Sequence, residues 1–84
     1  MELSWLATGW EDYLYWQKTD TKTLKRVNVL IKDAMRSPFE GIGKPEPLKA
    51  NLSGWWSRRI TGEHRLVYRV HKDRFIVMTC RYHY

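Results

Sequence analysis

Apolar side chains recur at helical spacing in the first 36 residues of the chain. The spacing i, i+3, i+4 and i+7 predicts a first helix that ends near Lys18. The positions that carry this spacing are Trp10, Tyr13, Leu14 and Gln17. A capping box should open this helix, because the Thr8 hydroxyl and the Glu11 carboxylate can satisfy each other's backbone donors. Upstream, Leu3 and Trp5 alternate with polar neighbours, which predicts a short edge strand.

A second helix is predicted directly after the first. Asp20 is a good N-cap residue, and Ser37-Pro38 should end the helix because proline disfavours the helical conformation of the residue before it. The apolar stripe of this helix is Leu24, Val27, Ile31, Ala34 and Met35. Residues 37–54 contain three prolines and three glycines and show no period. They predict a long loop, and long loops in compact domains tend to be functional.

Beyond Gly54 the apolar spacing changes to two residues. Residues 55–60, 65–70 and 74–82 predict three strands, and the short turns between them imply antiparallel neighbours. Alternation divides their side chains between two faces of a sheet. The apolar face, expected under the helices, carries Trp56, Ile60, Leu66, Tyr68, Val70, Ile76, Met78, Cys80 and Tyr82. The opposite face carries Ser57, Arg59, Arg65, Arg69, Thr79, Arg81 and His83.

The predicted fold class is therefore α+β, in a single domain that spans residues 1–84. Two N-terminal helices pack on one face of a small antiparallel sheet, and the candidate active site occupies the opposite, concave face. Arg58 interrupts the apolar set, so we expect it to reach solvent at an edge of the sheet.

The charge of the chain changes this picture, because its net value of +6 is unevenly spread. Residues 21–84 carry 14 Lys and Arg against 5 Asp and Glu, whereas residues 1–20 are net acidic. This asymmetry favours a polyanionic partner, nucleic acid first. The alternative is a solvated basic surface without a specific ligand.

Several classes of protein are disfavoured by the composition. The single cysteine, Cys80, excludes an internal disulfide and is expected to be a small buried hydrophobe. No Cys/His spacing resembles a zinc site, so we expect no metal and no cofactor. No apolar run approaches the roughly 20 residues of a membrane span. The N-terminus does not resemble a signal peptide, and a cytoplasmic location is expected.

The polar residues of the loop and of the predicted basic face could cleave RNA without a metal. Such cleavage needs a base for the ribose 2′-OH, an acid for the leaving 5′-oxygen, and cations for the charge on phosphorus. Glu46 is the candidate base and His83 the candidate acid. Arg65 and Arg59 are the candidate clamp, because guanidinium binds phosphate oxygens in pairs and keeps its charge.

Other residues could support the substrate, and every assignment has a structural alternative. Lys49 and Arg81 could add positive charge, and Tyr84 could stack on a base. Glu46 could instead be a solvated loop carboxylate, and His83 a surface histidine. His64 and His71 are interpreted as structural.

The chain also resembles a known family, the YoeB toxins, which are members of the RelE-like superfamily of toxin–antitoxin endoribonucleases. The resemblance covers essentially the whole chain. It is strongest in the segments Trp10-Glu11-Asp12-Tyr13-Leu14-Tyr15-Trp16, Pro38-Phe39-Glu40-Gly41, Gly43-Lys44-Pro45-Glu46-Pro47-Leu48, Asn51-Leu52-Ser53-Gly54, Trp56-Ser57-Arg58-Arg59-Ile60, Glu63-His64-Arg65-Leu66-Val67-Tyr68 and Cys80-Arg81-Tyr82-His83-Tyr84.

The resemblance implies a function and partners. It places the family's catalytic set on Glu46, Arg65 and His83, with Lys49, Arg59 and Tyr84 in support. The implied substrate is messenger RNA in the ribosomal A site, cut through a 2′,3′-cyclic phosphate. The implied partners are a YefM-like antitoxin, a second copy of the toxin, and operator DNA through the antitoxin complex.

Two further hypotheses remain beside the nuclease. A non-catalytic RNA-binding or partner-binding module would use the same arginine face. Direct recognition of DNA by the second helix is weaker, because no preceding turn and helix mark it as a recognition helix.

Overall fold

The structure is a computed structural model, and it describes residues 1–82 of the chain. His83 and Tyr84 lie outside the described residues, so their predicted roles stay predictions. The elements, in chain order, are strand β1 (Glu2–Trp5), helices α1 (Ala7–Thr19) and α2 (Thr21–Arg36), strand β2 (Glu46–Pro47), a 3-10 turn (Ala50–Leu52), and strands β3 (Trp56–Arg59), β4 (Arg65–His71) and β5 (Arg74–Thr79).

The five strands form one sheet in the order β1-β5-β4-β3-β2. The predicted α+β class and the predicted edge strand at the N-terminus are confirmed. The sheet is mixed, because β1 runs parallel to β5 while the other neighbours are antiparallel. The chain leaves β1 directly into the helices, so β1 and β5 meet without a hairpin between them, and a parallel pairing is open to them.

The starts of the two helices have different causes. The prediction of a capping box is wrong: α1 begins at Ala7, its N-cap residue is Leu6, and no side chain caps it. The backbone N–H of Leu6 instead donates to the carbonyl of Val77 at 2.9 Å, so pairing with β5 sets where the helix begins. Asp20 caps α2 as predicted, since its carboxylate accepts hydrogen bonds from the backbone N–H and hydroxyl of Thr23.

The hydrophobic core lies between the helices and the sheet. Its fully buried members include Val27, Leu30 and Ala34 of α2 and Leu66, Tyr68, Phe75 and Val77 of the strands. The helices approach the sheet closely: a Cβ atom on Gly9 would lie 2.8 Å from the carbonyl oxygen of Val77, so only glycine fits there. Cys80 is fully buried, as expected.

The predicted face of β5 is wrong for its first half. Phe75 and Val77 are buried, whereas Ile76 and Met78 are only half-buried. The reason is a bulge: Val67 pairs with Thr79 and Tyr68 pairs with Val77, so Met78 is an extra residue that reverses the alternation. Tyr82, also assigned to the apolar face, is exposed.

Arg58 is fully buried, so the expectation that it reaches solvent is wrong. The guanidinium has five N–H donors, and the structure provides acceptors for them all. The acceptors are the Tyr68 hydroxyl at 3.0 Å, the Asp33 carboxylate at 2.6 Å and the backbone carbonyls of Ser37, Glu40 and Ile42 at 2.6, 2.9 and 3.1 Å. One buried cation therefore joins β3, β4, α2 and the loop that leads to β2.

Replacing Arg58 should destabilise the protein far more than replacing its neighbour Arg59. Arg58→Ala leaves three carbonyls and the Tyr68 hydroxyl without their donor and removes one donor from the half-buried Asp33 carboxylate, which costs on the order of 3–5 kcal/mol. Arg59→Ala is the matched control, because Arg59 lies in the same strand with an exposed side chain. Urea unfolding measures both, and equal losses of stability for the two variants would contradict the role assigned to Arg58.

Asp33 should make stability depend on pH in the acid range. Hydrogen bonds from Arg36, Arg58 and the backbone N–H of Ile42 lower the pKa of Asp33 from 3.8 to about 2. The unfolded chain binds this proton more readily, so the stabilisation is present above pH ~4 and is lost as the pH falls towards 2. The measurement is the urea midpoint of unfolding between pH 2 and 6. The difference in midpoint between the parent and Asp33→Asn should decrease as the pH falls from 6 to 2.

The control for that experiment is Asp73→Asn, because the Asp73 carboxylate, in the turn between β4 and β5, is 92% exposed and makes a long ion pair of 3.7 Å with the N-terminal ammonium group. The difference in urea midpoint between Asp73→Asn and the parent should be small. A gap for Asp33→Asn that stays constant across the range would contradict the role of the ionised carboxylate.

Candidate active site

A row of paired residues crosses four strands and brings Glu46 onto the helix-free face of the sheet. Glu46 pairs with Ser57, Ser57 with Val67, and Val67 with Thr79. Directly paired residues project from the same face, and this row alternates with the core row that contains Arg58. The loop predicted at residues 37–54 thus contains a two-residue strand, β2, which is too short for a period to reveal.

Arg59 and Arg65 lie on the same face, directly opposite each other across β3 and β4. Each is two residues from the row that holds Glu46. Arg59 is therefore a diagonal neighbour of Glu46, about 7–8 Å away and within the reach of long side chains, whereas Arg65 lies one strand further from Glu46. Strand register puts these three predicted residues on one face of the sheet.

Two like charges placed opposite each other destabilise a sheet unless an anion joins them. The guanidinium of Arg65 is oriented by the turn before β4, since its Nη1 donates to the carbonyls of Thr61 at 2.8 Å and His64 at 3.1 Å. Within residues 1–82 all of its side-chain hydrogen bonds use Nη1, so Nε and Nη2 can face a ligand. A phosphate is the anion that suits such a pair.

Lys49 extends the basic surface on the loop side. It is exposed and directly precedes the 3-10 turn at Ala50–Leu52. The backbone N–H of Leu48 donates to the carbonyl of Trp55, which continues the pairing of β2 with β3 up to Lys49. The backbone of Lys49 is therefore held next to the strand that carries Glu46, and its ammonium group extends from there.

Arg81 is placed differently from the prediction that assigned it to the basic face. Its guanidinium stacks on the ring of Tyr15, with 3.6 Å between the guanidinium carbon and the ring centroid. It also lies 4.8 Å from the ring centroid of Tyr82 and donates to the Tyr82 hydroxyl at 3.0 Å. The guanidinium of Arg81 therefore packs against aromatic rings and α1, because the π faces of Tyr15 and Tyr82 attract a cation at this position.

The residues that precede His83 are held by side chains whose importance sequence reasoning missed. Asp12 accepts a hydrogen bond from the backbone N–H of Cys80 at 3.1 Å, and the indole of Trp16 donates to the Cys80 carbonyl at 2.8 Å. Burial raises the pKa of Asp12, against the lowering effect of the Cys80 hydrogen bond. The only sequence signal was that Asp12 and Trp16 are four residues apart on a helix, which places them on one face.

The two histidines interpreted as structural lie at different ends of the sheet. His64 packs edge-to-face on Trp16, with ring centroids 4.7 Å apart, and its Nδ1 accepts a hydrogen bond from the backbone N–H of Tyr82 at 2.7 Å. His71 is exposed at the last position of β4. The structural interpretation is confirmed for His64, which binds protein groups from two elements.

Two other kinds of site were searched for among residues 1–82. No three His, Cys, Asp or Glu side chains in this range are grouped closely enough to hold a metal ion. Neither helix has the length and apolar composition needed to cross a bilayer.

Fold and site together define a class of protein: a two-helix α+β domain whose sheet exposes a carboxylate beside paired arginines. Residues 5–84 match the sequence profile of a family described as the YoeB-like toxin of bacterial type II toxin–antitoxin systems. The chain is 63% identical to the toxin YoeB of Escherichia coli strain K12 over 84 residues, which cover both chains completely. The chain therefore belongs to the YoeB-like toxin family.

Solved structures support the same assignment. A YoeB/ParE toxin from Agrobacterium tumefaciens superimposes with a TM-score of 0.97 at 52% identity, over the whole of both chains. The YoeB dimer from Staphylococcus aureus gives a TM-score of 0.93 at 46% identity, over 100% of this chain and 98% of the other. The same coverage and identity, with a TM-score of 0.91, hold for the heterotetrameric YoeB–YefM complex of that organism.

Proposed function

We propose that this toxin is a metal-independent endoribonuclease that cuts messenger RNA in the ribosomal A site and so inhibits translation. The observation that carries the proposal is the strand register, which puts Glu46, Arg59 and Arg65 on the same face of the sheet. The membership in the YoeB-like toxin family adds to it.

The reaction is an acid–base transesterification. The Glu46 carboxylate takes the proton of the ribose 2′-OH, and the 2′-oxygen attacks the adjacent phosphorus. His83 gives a proton to the 5′-oxygen as its bond to phosphorus breaks, which leaves a 2′,3′-cyclic phosphate and a 5′-hydroxyl. Arg65 and Arg59 neutralise the charge that develops on the phosphoryl oxygens.

The position of Glu46 favours catalysis over simple binding. A carboxylate beside two guanidiniums and Lys49 weakens the attraction for phosphate, so a surface that only bound RNA would be stronger without it. A role as the general base explains why a carboxylate occupies this position. The supporting residues are Lys49 for the backbone charge, Tyr84 for stacking on a base, and Arg81, which acts from its place against Tyr15 by adding positive charge near the chain end.

The partners follow from the relatives. A YefM-like antitoxin binds and neutralises this toxin, and two toxin copies associate. In support, the YoeB of Staphylococcus aureus forms a heterotetrameric complex with YefM and also a dimer. Contact with operator DNA is made through the antitoxin complex. A substrate held on the ribosome places the protein in the cytoplasm.

Substitution of any of the three proposed catalytic residues should lower the cleavage rate to a small residual level without unfolding the protein. Glu46→Gln, Arg65→Ala and His83→Gln each remove a proton carrier or a charge from the reaction, and loss of a general acid or base costs about 10²–10⁴ in rate. His71→Gln is the matched control, because His71 is exposed at the end of β4. The measurement is primer extension on messenger RNA from translating ribosomes.

Two outcomes would contradict the proposal. A His83→Gln protein that cut at the parental rate would remove the acid assignment. A parent protein that stalled ribosomes without producing new RNA ends would instead identify a non-catalytic binding module.

The paired arginines should also determine how RNA binding depends on salt. Arg59→Ala removes one phosphate contact, so the slope of log affinity against log salt should fall by about 0.7 for single-stranded RNA. Arg74→Ala is the control, since Arg74 pairs with Glu2 and His71 at the other end of the sheet. Fluorescence anisotropy with a 2′-deoxy-substituted, uncleavable oligonucleotide measures both slopes. If Arg59→Ala and Arg74→Ala gave equal slopes of log affinity against log salt, the phosphate would not bind at Arg59.

A further inference from the structure

We infer that His64 is a positioning residue for the proposed reaction, because its imidazole fixes the chain immediately before the general acid His83. This inference rests on the proposed function and assigns His64 no direct contact with substrate. It is carried by the contacts of residues 80–82, which end one residue before His83.

The backbone of Tyr82 is held on both sides by two consecutive residues. Its N–H donates to Nδ1 of His64 at 2.7 Å, and its carbonyl accepts from the backbone N–H of Arg65 at 2.7 Å. Tyr82 has a φ of +61°, a left-handed conformation that side chains other than glycine rarely adopt. Such a conformation persists only where surrounding contacts enforce it, and these two hydrogen bonds are those contacts.

The imidazole can act as an anchor because it is itself fixed. Its ring packs edge-to-face on Trp16, whose indole in turn holds the Cys80 carbonyl. Its own backbone N–H donates to the Thr61 hydroxyl at 3.1 Å. With an exposed side-chain fraction of 13%, His64 lies between the core and the chain end and has little freedom to rotate.

The hydrogen bond also defines how His64 acts. An imidazole nitrogen that accepts a hydrogen bond from a backbone N–H uses its lone pair for that contact. The other ring nitrogen, Nε2, lies 3.6 Å from the Glu63 carboxylate. His64 is therefore assigned the role of an acceptor that holds the Tyr82 backbone.

His64 and Arg65 are adjacent, and this links the acid to the phosphate clamp. The side chain of His64 holds the chain that carries His83, while the side chain of Arg65 holds the phosphate in the proposed mechanism. The His64 carbonyl also accepts a hydrogen bond from the Arg65 guanidinium at 3.1 Å. One short segment at the start of β4 thus holds both the proposed clamp and the backbone of Tyr82, the residue before the proposed acid.

Two amide variants separate positioning from packing. In His64→Asn the amide oxygen falls near the position of Nδ1 and keeps an acceptor for Tyr82, whereas the longer His64→Gln carries its amide towards the position of Nε2. We expect His64→Gln to lower kcat by about 10²-fold, the effect of a small misplacement of a catalytic group. His64→Asn should retain most of the parental kcat, and KM and the thermal midpoint should match between the two variants.

A double substitution tests whether His64 acts through His83. If it does, His64→Gln added to His83→Gln should cause no further loss of cleavage, because the group that was positioned is already gone. Hydrogen exchange of the Tyr82 amide, followed by NMR, should accelerate in His64→Gln and not in His64→Asn.

The results that overturn the inference differ from those that overturn the nuclease proposal. An active parent with an equally active His64→Gln variant, equal losses in the Asn and Gln variants, or additive losses in the double variant would each refute positioning by Nδ1 while leaving the nuclease intact. A parent that does not cleave message refutes both.

Discussion

The rest of the structure depends on the burial of one guanidinium, that of Arg58. A buried charge is tolerated only when it is paired and every donor is satisfied, and here the acceptors come from Asp33, Tyr68 and the backbone of the loop after α2. Gly41 in that loop has a φ of +127°, and a Cβ atom there would collide with the Asp33 carboxylate. Three hydrogen bonds from Arg58, to the carbonyls of Ser37, Glu40 and Ile42, therefore hold an otherwise irregular segment, and that segment leads to Glu46 at the edge of the sheet.

Arg58 and Arg59 show how neighbouring residues of one type take opposite roles. Alternation along β3 directs Arg58 into the core and Arg59 to the open face. The first charge is neutralised by the protein, while the second lies opposite Arg65 and increases the local positive potential. A basic face beside a neutralised interior favours the attraction of a polyanion.

The site is assembled from segments far apart in the chain, each fixed by a different device. Strand pairing places Glu46, register places the two arginines, and side chains of α1 and of the turn before β4 hold residues 80–82. Placement on strands of one sheet fixes the backbone positions of Glu46 and the two arginines, whereas residues 80–82 depend on side-chain contacts from other segments. The enzyme we propose would be most sensitive to changes in those contacts.

By itself the sequence determined the two helices, the three C-terminal strands, the Asp20 cap and the alternation that separates Arg59 and Arg65 from the core, because these follow from local periodicity and capping. Only the tertiary structure decided that Arg58 is buried, which residues of β5 face the core, and that the Arg81 side chain packs on Tyr15. A guanidinium becomes a buried cation only when distant carbonyls surround it, and a bulge reverses alternation only when a neighbouring strand imposes it. Local patterns do not contain these partners, since residues 33, 40 and 58 meet only after the chain has folded.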